Sequence, residues 1–110
     1  MKLPQNIRFT FQSCADLNDI WEAIAVPKDI FGSAGSDNLE AAERFADHFE
    51  KVCMLLPNHP EIALARDDLH PGLRSIILQR YVVLFRVRGK SVEVLRILPA
   101  TRAIDFGIVA

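Results

Sequence analysis

The sequence predicts an α+β domain in which an antiparallel sheet packs against a pair of helices, in the order β-α-α-β-β-β. Two amphipathic helical stripes in the first half and three closely spaced apolar β runs in the second half lead to this class. The length agrees with it. A chain of 110 residues, 50% of them hydrophobic, suffices for one compact domain with a modest core over 1–110.

The elements follow in order. Ile7, Phe9 and Phe11 alternate with Arg8, Thr10 and Gln12, the pattern of a half-buried strand. Ser13 and Asp16 then make an S-x-x-D helix start. Leu17, Ile20, Trp21 and Ile24 recur at helical spacing and form one apolar stripe, which Pro27 ends. Residues 28–38, rich in Gly and Ser, read as a linker. Asp37 with Glu40 signals a second helix start. Its stripe is Ala42, Phe45, Ala46, Phe49, Val52, Cys53 and Leu56, opposite Glu43, Arg44, Asp47, Glu50 and Lys51, and Pro57 and Pro60 close it. Two such helices are expected to pack as an antiparallel pair.

Pro71-Gly72 introduces the β region. Its strands are Leu73 to Leu78, Tyr81 to Arg88 and Ser91 to Leu98, joined by turns at Gln79-Arg80 and Gly89-Lys90. A two-residue turn at 89–90 pairs Arg88 with Ser91, Val87 with Val92, Arg86 with Glu93 and Phe85 with Val94. That register sets opposite charges across from each other. It places Tyr81, Val83, Phe85, Val87, Val92 and Val94 on one face, and Val82, Leu84, Leu95 and Ile97 on the other. Both faces are apolar. The helices can cover one; the second needs either the tail at 99–110 or another chain.

The net charge is −1, but it is unevenly spread. Residues 1–65 hold five basic and ten acidic residues; residues 66–110 hold eight basic, seven of them Arg, and four acidic. An Arg-rich half suits a phosphate surface or an acidic protein partner, and it is equally consistent with neutralisation inside the monomer. Cys14 and Cys53 have no metal-ligand spacing and read as small apolar fillers in a reducing compartment. The opening MKLPQNIRFTF lacks the apolar run of a secretory signal, and no stretch approaches the ~20 apolar residues of a membrane span. A cytoplasmic protein with no membrane partner is expected. Neither a metal set nor a phosphate-binding Gly-rich loop is present, so no cofactor is expected.

Five stretches go further together than any does alone. They are Ala15-Asp16-Leu17-Asn18-Asp19-Ile20-Trp21, Arg66-Asp67-Asp68-Leu69-His70-Pro71-Gly72-Leu73-Arg74, Arg80-Tyr81-Val82-Val83-Leu84-Phe85-Arg86-Val87, Val92-Glu93-Val94-Leu95-Arg96-Ile97-Leu98 and Thr101-Arg102-Ala103-Ile104-Asp105. In this order they resemble the RelE/ParE superfamily of toxins from bacterial type II toxin–antitoxin (plasmid stabilisation) modules, and more the ParE branch. The chain departs from the family pattern at Pro99, where a His is usual, at Ala103, where an Asp is usual, and in the longer segment 28–38. The ParE resemblance implies a growth-arresting toxin that inhibits DNA gyrase by binding and is neutralised by a cognate antitoxin. The RelE branch implies instead a ribosome-dependent endoribonuclease acting on mRNA. An inactive relative that only binds the antitoxin is the third reading, kept open by Pro99 and Ala103.

The chemistry favours binding. Arg74, Arg96 and Arg102 are the target-binding residues expected here, with no catalytic residue among them. Were the chain a nuclease, His70 with these three arginines would be the set, because phosphoryl chemistry needs proton transfer beside cations. His48 and His59 read as solvated, and His70 and Tyr81 as non-catalytic. Arg74 and Arg102 are expected to be exposed. Arg96 is either a binding residue or a structural ion-pair partner of Asp67, Asp68 or Asp105.

Overall fold

The computed structural model describes residues 3–25 and 35–105. Strand β1 (Ile7–Phe9) leads into helix α1 (Phe11–Ala25), and helix α2 covers Gly35–Leu55. A 3₁₀ turn (Pro60–Ile62) and a two-residue strand β2 (Leu64–Ala65) precede β3 (Leu73–Leu78), β4 (Tyr81–Arg88) and β5 (Ser91–Pro99). Helix α3 (Ala100–Asp105) follows directly. The five strands form one sheet in the order β1-β5-β4-β3-β2. The expected α+β class and element order are met, with three additions: the 3₁₀ turn, β2 and α3. The sheet is antiparallel except at one edge, where β1 pairs parallel to β5. Parallel pairing needs a long crossover connection, and here everything from α1 to β4 lies between the two strands in sequence.

The hairpin register read from the Gly89-Lys90 turn is the one formed: Arg88 faces Ser91, Val87 faces Val92, Arg86 faces Glu93 and Phe85 faces Val94. Gly89 adopts φ +59, which a residue without Cβ takes at little cost. Beyond Phe85 the expected alternation breaks. Leu84 pairs with Arg96 rather than Leu95, so Leu95 is the extra residue of a β-bulge. The bulge moves Ile97 into the helix-facing core, and Leu98, not Leu95 and Ile97, joins Val82 and Leu84 on the opposite face.

The main core lies between the sheet and the helices. Phe45, Phe49, Cys53 and Leu56 of the α2 stripe are almost wholly buried, with Ala42 and Val52. They meet Ile20, Val83, Phe85, Val92, Val94 and Ile97. The α1 stripe is narrower than the spacing suggests: Ile20 is buried, Leu17 and Ile24 are half-buried, and Trp21 is 37% exposed. Phe11, expected in the strand, opens α1 and is 89% exposed. A hydroxyl explains that early start. Thr10 Oγ1 accepts the Ser13 N–H at 3.0 Å, so Thr10, not Ser13, caps α1, and Asp16 turns inward.

The face away from the helices buries Val82, Leu84 and Leu98, packed by Leu73 and by Ala100 of α3. The start of the tail therefore supplies part of the second cover. The stop at Pro27, the linker over 28–34 and residues 106–109 of the tail lie outside the described residues. So do the side chains of Asp37, with its expected cap, and of Ala103. Helix α2 begins at Gly35, ahead of that cap.

Candidate functional site

The end of β5 is built around one carboxylate. Beyond Val94 the strand has passed the end of β1, which pairs only as far as that residue, so the Ile97 N–H needs a partner from outside the ladder. Asp16 of α1 supplies it. Its Oδ2 accepts the Ile97 N–H at 3.0 Å and Arg96 Nε at 2.8 Å, while Oδ1 accepts an Arg96 Nη at 3.2 Å. The arrangement is a bidentate fork with a backbone bond added. Burial works against the charge on Asp16, but the Arg96 bonds, the Ile97 N–H and Gln12 outweigh it and hold the carboxyl below its ordinary value. The Asp16 side chain is 8% exposed and that of Arg96 29%. Arg96 is thus an ion-pair partner, as one of the two readings had it. Its acid, however, is Asp16 and not Asp67 or Asp68, while the side chain of Asp105 lies outside the described residues.

Thr10 braces the same corner. Its hydroxyl donates to the carbonyl of the bulge residue Leu95 at 2.9 Å while accepting from Ser13. Below the ion pair, a cleft of ≈ 200 Å³ opens between α1, β4, β5 and α3. Asp16, Asp19, Tyr81, Pro99 and Arg102 line it. Arg102 is exposed, as expected. Tyr81 is half-buried, its ring edge-on to Phe45 at 5.2 Å between centroids.

Arg74 and His70 lie elsewhere. Arg74 is half-buried, against the expectation of exposure. One of its Nη atoms donates to the carbonyls of Ala63 at 3.0 Å and Pro60 at 3.4 Å. It pins the 3₁₀ turn, adding a second donor to the Pro60 carbonyl, which already accepts the Ala63 N–H at 3.1 Å. His70 is exposed in the β2–β3 connection, with Nδ1 3.1 Å from the Pro71 carbonyl. The loop is closed by Arg66 N–H donating to Leu73 O at 2.7 Å and by Gly72 N–H donating to Asp67 Oδ1 at 3.0 Å. Leu73 opens β3 beside Arg86, and Leu78 ends it beside Tyr81, which also pairs with Pro99. Five residue steps of strand, about 17 Å, separate the His70 end of the sheet from the Arg102 end. His70, Arg74, Arg96 and Arg102 therefore do not converge on one point.

Two charged residues escaped the sequence reading. The sequence marks Asp16 as a helix-start signal and as part of a family stretch, but its partner Arg96 lies 80 residues away. Arg66 is 7% exposed and makes a two-bond fork to Asp68, at 3.1 Å for each bond. The hydrogen bond from Arg66 lowers the Asp68 carboxyl. Cys53 is buried, and desolvation pushes its thiol up to about 12, which suits an inert filler; Cys14 is exposed instead. Among the described residues no group of His, Cys, Asp and Glu could hold a metal ion, and no helix is long and apolar enough to cross a membrane.

Residues 7–104 match the family model described as the ParE toxin of the type II toxin-antitoxin system, parDE. The chain is similar to Toxin ParE3 of Caulobacter vibrioides, with 33% identity over 63 residues. That match takes in 57% of this chain and 63% of the relative, so the chain spans less than two thirds of it. It is also similar to a solved chain of the chromosomal ParDE TA system from P. aeruginosa. There the TM-score is 0.58 at 22% identity, over 86% of this chain and 94% of that one, a likeness of fold. Since the family match runs from β1 into α3 and takes in Asp16, Arg96 and Arg102, the chain belongs to the ParE toxin family of type II toxin–antitoxin systems.

Proposed function

We propose that this protein inhibits DNA gyrase by binding it, and that a cognate antitoxin neutralises it in the cytoplasm. Family membership supports a toxin with an antitoxin partner. The observation that carries binding over catalysis is the separation of the nominated groups. Arg96 is tied to Asp16, Arg74 is tied to the 3₁₀ turn, and His70 and Arg102 lie at opposite ends of strands about 17 Å long. A nuclease needs its base, acid and cations within reach of one phosphate. In this reading Arg102 is the principal target contact among the three arginines, because its fork faces solvent beside the Tyr81 cleft. Arg74 and Arg96 act by holding the surface in shape.

Induced expression without the antitoxin tests this. SOS induction with filamentation, and inhibited supercoiling by purified gyrase, are expected. Rapid translation arrest with cleaved ribosome-bound mRNA would establish the ribonuclease reading instead. Absence of any growth defect would leave an antitoxin-binding module.

A further inference from the structure

On the sheet face turned away from the helices, three arginines surround one acid. Arg8 pairs with Glu93 across β1 and β5, and Glu93 pairs with Arg86 across β5 and β4. The neighbouring row, Phe9, Val94 and Phe85, is core, so alternation puts the charged row on the opposite face. Arg88 lies two residues beyond Arg86 on the same face, about 7 Å along. The register expected from the sequence is present, yet neither Arg8 nor Arg86 forms an ion pair with Glu93 among the described residues. Arg86 is half-buried, and its Nε–H is fully buried without an acceptor. An orphaned guanidinium donor of this kind is costly to leave unmet.

We propose that Arg86, flanked by Arg8 and Arg88, is a docking site for an acidic segment of a partner polypeptide. One Asp or Glu side chain of that segment draws the Arg86 side chain off the sheet, which uncovers its Nε–H, and takes that Nε–H and an adjacent Nη–H side-on. The patch carries three positive charges against one negative, which suits an acidic partner. Glu93, set between Arg8 and Arg86, disfavours a continuous phosphate backbone and favours spaced carboxylates. Leu73, across from Arg86 on β3, offers the segment an apolar neighbour. This rests on the reading that the toxin is held by a partner protein, and names where and by what chemistry.

The test titrates the whole chain, labelled with ¹⁵N, with a short amidated peptide alternating Glu and Leu, following the arginine Nε–H resonances. The expected result is a shift of the Arg86 resonance and binding that weakens with salt. A peptide with Gln in place of Glu should bind at least about ten-fold more weakly. Arg86→Lys, which keeps the charge but loses the fork, should lose about as much. Equal binding by the Gln peptide, unchanged binding by Arg86→Lys, or tighter binding of a single-stranded oligonucleotide would each overturn the proposal. A gyrase assay on the same protein is independent of this titration, so failure of one is distinguishable from failure of the other.

Discussion

Asp16 shows how one side chain can join two elements distant in sequence. Its carboxylate serves the Arg96 fork and the Ile97 N–H at once, so both lose their partner when it is removed. Arg96→Ala leaves a nearly buried carboxylate uncompensated. A loss of about 3 kcal/mol is expected in urea denaturation, the lower end for breaking a buried pair, because Arg96 keeps some solvent contact. An unchanged midpoint would assign Arg96 to the free surface instead. The same pair sets an acid response. The folded Asp16 carboxyl lies below its ordinary value of 3.8, so its contribution is fully present above that value and fades as pH falls through the lower, folded one. Asp16→Asn should therefore be less stable than the parent at pH 7 but lose less stability below about pH 4. Parallel stability curves for the two proteins over that range would count against the assignment.

At the scale of elements, Thr10 decides where β1 stops and α1 starts. Its hydroxyl caps the helix and holds the bulge carbonyl, so Thr10→Val should cost about 1–2 kcal/mol although the shape is conserved. A thermal melt identical to the parent's would show that the hydroxyl anchors neither group. The α2 stripe is the stronger determinant. Phe49 is 0% exposed and contacts Phe9 and Phe45 at ring distances of 6.0 and 6.1 Å. Phe49→Ala should cost about 3–5 kcal/mol, read as a large fall in the denaturation midpoint. That is a substantial share of the stability of a domain this small.

For the whole molecule, the sheet divides the charged groups between its two ends and its two faces. Arg102 is the arginine of the nominated set with an exposed head, so Arg102→Ala should reduce toxicity on induced expression while leaving the melting temperature within about 1 °C of the parent's. Retained toxicity would move the target contact off this cleft. Arg74→Ala and Arg96→Ala should reduce toxicity only as far as they destabilise the fold, which paired toxicity and melting measurements can separate.

Local pattern alone was enough for much of this architecture. The α2 stripe, the strands of the meander and the register at Gly89-Lys90 were all legible, because helical and strand periodicities and a positive-φ turn are properties of neighbours in the chain. What the sequence could not reveal depended on groups brought together from afar. The bulge at Leu95 exchanged Ile97 and Leu98 between faces, and no local signal marks it. Trp21 remained partly exposed because the breadth of an apolar stripe does not say how much of it the sheet can cover. Arg74, Arg86 and Arg96 are alike as residues of apolar strands. Only the tertiary structure gave one the Pro60 and Ala63 carbonyls, gave another Asp16, and left the Arg86 Nε–H without an acceptor. A buried charge takes its role from whichever partner the fold delivers, and that partner can lie 80 residues away.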